Sequence, residues 1–165
     1  MLHKLLKTID NHFELPAASA HCDIPCGIYD PITAQISVLT AIRMEDQIAE
    51  LTDGEMSVAQ QAKFSRVVAE KEAHLIKAKD EVRIIWGDFF KQPVFDKYPQ
   101  THDLVHKIML QASKAKQHLG REHSVELLGL VNEFAEIFWG SKGVETYTAK
   151  SPYAVKEDVV YPKIA

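Results

Sequence analysis

Apolar positions recur with a helical period along most of the chain. Ile32, Ile36, Leu39, Ile42 and Ile48 fall on one face and predict an amphipathic helix over about 30–51. Asp30-Pro31 marks its start as a cap with proline at the first helical position. Thr52-Asp53-Gly54 breaks the pattern. Ser57-Val58-Ala59-Gln60 is a capping-box signature and predicts a long helix over about 57–90. Its stripe runs Phe64, Val67 or Val68, Leu75, Ala78, Val82, Ile85 and Phe89. Gln92-Pro93 stops it, and a loop continues through Pro99. Thr101 caps a third helix, 101–119, with Leu104, Val105, Ile108, Met109, Ala112 and Ala115 on one face and Gly120 at its end. A fourth, 122–139, carries Leu127, Leu128, Leu130, Val131, Phe134, Ile137 and Phe138 before Gly140. Residues 141–165, with Tyr147, Tyr153 and Tyr161, read as an extended C-terminal arm. No strand alternation or internal repeat competes. The fold class expected is all-α, an antiparallel up-down four-helix bundle.

The chain has 165 residues, 46% of them hydrophobic and 25% charged, with a formal net charge of −4. That suits one soluble domain with a real core. Lysines and arginines alternate with acidic residues along the helical segments, so no basic patch points to nucleic acid. No stretch reaches the roughly 18 apolar residues of a membrane span. Ala18-Ser19-Ala20 fits a small-residue cleavage site. However, Lys4, Lys7, Asp10, Asn11, His12 and Glu14 interrupt the apolar run that an export signal requires. Residues 1–20 therefore read as an amphipathic pro-segment, residues 21–165 as the functional domain, and the cytoplasm as the compartment.

The chemistry concentrates in His21-Cys22-Asp23-Ile24-Pro25-Cys26-Gly27-Ile28-Tyr29, which holds both cysteines of the chain. A peptidase cutting between Ala20 and His21 would expose an amine, an imidazole, a backbone amide and two thiols within six residues. The amine of His21 and the amide nitrogen of Cys22 close a five-membered chelate ring, and the Cys22 side chain adds a second. Cys26 folds back to complete a flat nitrogen and sulfur set, while the His21 imidazole stays available as an axial ligand. Such a set favours Ni(II) or Cu(II) over tetrahedral zinc. An internal histidine has no free amine, so the intact chain should lack this site. Gly27 permits backbone conformations that a β-carbon resists. Two rivals stay open: a bundle that carries nickel or copper without turnover, and a thiol-redox protein cycling a Cys22–Cys26 disulfide.

Other candidates are weaker. His102 and His106 are four apart on a predicted helix, a spacing that can bind zinc, but no third ligand accompanies them and solvated positions are expected. Trp86 and Trp139 read as core or interface anchors. No G-x-S-x-G turn supports a hydrolase, and no glycine-rich phosphate loop is present.

The segment resembles the nickel hook of nickel-dependent superoxide dismutases, H-C-x-x-P-C-G-x-Y. His21, Cys22, Pro25, Cys26, Gly27 and Tyr29 match its fixed positions, and Asp30-Pro31 continues the likeness. Trp86-Gly87-Asp88-Phe89-Phe90-Lys91, Tyr98-Pro99 and Ile137-Phe138-Trp139 extend it along the chain. The resemblance implies a four-helix bundle, a leader removed to expose His21, and a homohexamer. It also implies one nickel ion per subunit held by His21, Cys22 and Cys26, and superoxide as substrate, disproportionated by Ni(II)/Ni(III) cycling. Tyr29 would gate small anions and order water as a catalytic residue. The likeness departs at two places. In better-known members a glutamate on the first helix holds the axial imidazole and an arginine supports it. Here Ser37 and His74 stand at those places, so the groups that orient His21 must differ.

Overall fold

The computed structural model describes residues 27–164. Helix α1 spans Ile32–Leu51. Pro31 takes the cap position, and the Asp30 carboxylate accepts from the Ile32 N–H at 2.8 Å. Helix α2 spans Val58–Ile84. Its capping box is present as read: Ser57 Oγ accepts from the Gln60 N–H at 3.3 Å, and Gln60 Oε1 accepts from the Ser57 N–H at 2.9 Å. The helix then widens into a π-helical turn, Ile85–Phe89, closed by the Phe90 N–H on the Ile85 carbonyl at 3.0 Å.

Gln92-Pro93 does not leave a plain loop. A short helix α3, Gln92–Lys97, starts there with proline in its first turn, where a missing N–H costs nothing. Helix α4 is Thr101–Gln117 and α5 is Arg121–Ser141. Thr101 is the first helical residue of α4, not its cap, and its hydroxyl donates to the Tyr98 carbonyl at 2.6 Å. Gly120 makes the turn into α5 at φ +137.

The four long helices pack in a ring in the order α1, α2, α4, α5. Consecutive helices run antiparallel around a core that includes Ile42, Leu75, Val82, Ile108, Leu127, Phe134 and Phe138. The up-down bundle expected from periodicity is the bundle observed. Ile36 departs from its predicted face: it is 41% exposed and borders a shallow apolar cleft with Leu39, Met44, Tyr153 and Val155. Among the described residues no helix is long and apolar enough to cross a membrane.

The C-terminal segment, read as an extended arm, folds back on itself as a hairpin of β1 (Thr146–Lys150) and β2 (Asp158–Pro162), antiparallel, with Tyr147 opposite Tyr161 and Ala149 opposite Val159. Each strand is five residues long, too short for alternation to stand out. Val155, Val159 and Val160 are buried against the bundle, so the hairpin packs on its own chain.

At the pole opposite Tyr29 lies a buried ion pair. Lys71 Nζ meets Glu45 Oε1 at 2.9 Å and the His118 carbonyl at 2.8 Å, while Glu45 Oε2 accepts from the Gly120 N–H at 3.2 Å. Both side chains are almost fully enclosed. Pairing makes such burial tolerable, and the extra hydrogen bonds fix α1, α2 and the α4–α5 turn to one another.

Candidate metal centre

His21, Cys22 and Cys26 lie outside the described residues. What the structure places is the segment that follows them in the sequence. The described chain enters through Gly27 at φ +80, a left-handed conformation that glycine adopts without strain. Ile28 is exposed, and Tyr29 is then buried to 8% exposure. The Tyr29 ring packs on Phe89 with centroids 5.4 Å apart, and Phe89 packs on Phe138 at 5.0 Å. The π-helical turn presents Phe89 and Phe90 to the interior together, and α5 supplies Phe138 and Trp139 at its last turn. Tyr29 is thus set by three elements at one pole of the bundle.

Two features at this pole escaped sequence reasoning. Lys142, just past α5, holds its amine 5.2 Å from the Phe89 centroid, 4.9 Å from Phe138 and 5.9 Å from Trp139. The ring faces attract the cation, and among the described residues it has no carboxylate partner. The second is a cleft of about 330 Å³ lined by Ile28, Tyr29, Asp30, Thr33, Glu81, Ile84 and Ile85. Glu81 brings a carboxylate there that engages no other described side chain. Its place in the sequence, one turn before Ile85 and off the apolar stripe, resembled an ordinary solvated position. Only the docking of residues 27–30 beside α2 brings it into a cleft wall.

The departures at Ser37 and His74 take physical form. Ser37 is buried, and its hydroxyl donates to the Thr33 carbonyl of its own helix at 2.7 Å. His74 Nδ1 lies 3.0 Å from the Glu70 carbonyl, also within its own helix. His102 is engaged elsewhere too: its Nδ1 accepts from the Trp86 indole N–H at 3.1 Å, and its ring stacks on Phe95 at 4.2 Å. Trp86 and Trp139 serve as packing anchors. Among the described residues no group of three His, Cys, Asp or Glu side chains is gathered as a metal site.

Comparison with known proteins bears on this arrangement. A family model described as nickel-containing superoxide dismutase matches residues 16–142, spanning the hook segment, Tyr29 and all four long helices. The chain belongs to the nickel-containing superoxide dismutase family. Relatives named superoxide dismutase [Ni] include one from Streptomyces coelicolor, 34% identical over 124 residues, covering 75% of this chain and 89% of the relative. Another, from Streptomyces seoulensis, is 32% identical over the same coverage. The native structure of a nickel superoxide dismutase aligns with TM-score 0.65 and 33% identity over 74% of this chain and 99% of that one. A crystal structure with nickel ligation corresponding to the oxidized state also aligns at TM-score 0.65, with 30% identity. The hairpin lies beyond the residues that the family model matches.

Proposed function

We propose that the chain is the precursor of a nickel superoxide dismutase. Cleavage between Ala20 and His21 would produce the active form, and the His21 amine and imidazole, the Cys22 amide and thiolate, and the Cys26 thiolate would hold one nickel ion per subunit. The observation that carries this reading is a hook sequence complete in its ligand positions, followed three residues after Cys26 by Tyr29, which is buried in the bundle. The donor set fits nickel, since thiolates and a deprotonated amide are strong electron donors. Bound there, nickel supplies one-electron exchange between divalent and trivalent states. The overall reaction takes two superoxide anions and two protons to one oxygen and one hydrogen peroxide.

The chain's own residues do the rest. Tyr29, held by Phe89, narrows the approach so that only small anions reach the hook. The Lys142 ammonium supplies positive potential beside that approach. Glu81 offers the cleft a carboxylate, the kind of group that usually fixes the ring of a metal-bound histidine, where Ser37 has only a hydroxyl already used by its helix. Maturation in the cytoplasm, which the interrupted apolar run of the leader supports, and assembly as a homohexamer complete the proposal.

The test compares the full chain with a chain starting at His21, both purified metal-free and supplied with nickel. The processed form should bind one nickel, develop a trivalent nickel paramagnetic signal and consume superoxide. The full chain should do none of these. Equal activity from the uncleaved chain refutes the reading. A Cys22–Cys26 disulfide in both forms, without nickel binding, favours the thiol-redox rival.

A further inference from the structure

The hairpin carries an inference of its own. The family match ends at residue 142, and β1 and β2 lie wholly beyond it. Val155, Val159 and Val160 are sealed into the bundle at 8%, 0% and 4% exposure. Two polar groups make the junction specific. Gln35, in the first turn of α1 and 1% exposed, donates from Nε2 to Asn132 Oδ1 on α5 and to the Val160 carbonyl on β2, both at 3.0 Å. Asn132 Oδ1 also accepts from the Val160 N–H at 3.2 Å, and its Nδ2 donates to the Asp158 carbonyl at 2.9 Å. Both hydrogens of the Gln35 amide are therefore satisfied, one by each neighbour. At the opposite pole, Arg121 joins Asp46 of α1 at 2.8 Å to Glu157 of the hairpin turn at 2.6 Å.

The hairpin is thus bound to α1 near both ends. The end fastened by Gln35 is the one that matters for chemistry, because Tyr29 lies six residues earlier in the sequence and the hook segment directly precedes it. Helix ends fray, and local opening there is the cheapest motion a bundle has. We propose that the hairpin is a clamp on the hook-bearing end of α1, with Gln35 and Asn132 as positioning residues for the metal centre. Its effect on nickel rests on the hook reading above; its effect on α1 does not. An apolar residue at position 35 would leave the Val160 carbonyl and one lone pair of Asn132 without their donor, which gives a physical reason for glutamine inside the core.

Hydrogen exchange on the metal-free full chain reads the clamp directly. In Gln35→Met and Asn132→Ala, amides of residues 30–38 should exchange about tenfold faster or more, with α2 and α4 unchanged. Lys163→Ala, which breaks only the exposed Lys163–Glu145 pair, should leave α1 as it was. In the processed form of the same two variants, the nickel dissociation constant should rise about tenfold, as for loss of groups that support metal ligands. Faster exchange confined to the hairpin, with α1 protection intact in both variants, overturns the proposal. So does faster exchange in α1 with nickel affinity unchanged. If the unmutated processed chain binds no nickel, the hook reading fails, and α1 exchange alone then decides whether the clamp exists.

Discussion

Replacing Lys142 tests whether the pole around Tyr29 handles an anion. The amine lies 5.2 Å from the Phe89 centroid, and Phe89 lies 5.4 Å from Tyr29. Two such legs place the charge within about 11 Å of the tyrosine ring. A unit anion at that distance gains about 0.4 kcal/mol at the dielectric constant of water and about 1.6 kcal/mol at an effective value of about 20. Lys142 is exposed, so the lower figure governs, because solvent screens such charges. Lys142→Gln should then lower kcat/KM for superoxide about twofold at low ionic strength, and Lys142→Glu about fourfold. Pulse radiolysis of nickel-loaded protein over a salt series is the assay. The Debye length falls from about 10 Å at 0.1 M to about 3 Å at 1 M, so the variants should converge with unmutated protein as salt rises. Loss of the ring contacts also removes about 0.5–1 kcal/mol of cation–π attraction, which a thermal melt reports separately. A deficit that persists unchanged at high salt, or no deficit at all, refutes the steering argument.

Further outcomes follow from other sites. Lys71→Met strands Glu45 in the core and should cost about 3–5 kcal/mol by denaturant unfolding, with much of the loss recovered on adding Glu45→Leu; a loss below about 1 kcal/mol would mean the pair is solvated. Burial, then the nearby Tyr153 and Tyr147, raises the Tyr161 phenol above its ordinary value of 10.0. Below pH 10 the phenol is protonated folded or unfolded; above it the unfolded chain ionises first, so hairpin stability should fall until pH passes the folded value. Tyrosinate absorbance and amide exchange across that range would show it, and Tyr161→Phe should remove this component. His21→Gln in the processed chain should abolish the trivalent nickel signal and most activity while the metal-free melt stays put; a variant that keeps both would exclude the imidazole as a ligand.

The four long helices were legible because each buries one continuous stripe, and a stripe leaves a 3.6-residue mark on the sequence. The same marks held information that periodicity alone passes over. Lys71 stands on the α2 stripe midway between Val67 and Leu75, and Glu45 between Ile42 and Ile48 on α1. Opposite charges on two facing stripes point to a buried pair, yet nothing local says which helices will face. The hairpin was missed because its strands are short and their hydrogen-bond partners are distant in sequence. Gln35 and Asn132, which fasten it, are separated by 97 positions. In the candidate site, Tyr29 and Gly27 were readable from the hook pattern. Glu81 and Lys142 were not, since their relation to Tyr29 exists only once α1, α2 and α5 end at a common pole.

That shared pole has a practical side. The hairpin leaves the end of α5 beside the Tyr29 cluster, runs to the far pole and comes back, with the Lys163 N–H on the Glu145 carbonyl at 2.8 Å. The described chain therefore ends at the pole where α5 ends and Tyr29 packs. A C-terminal polyhistidine tag would extend from that pole, and its imidazoles would compete for nickel in any loading measurement. Under the proposed maturation at His21, a purification handle placed ahead of the leader would be removed with it.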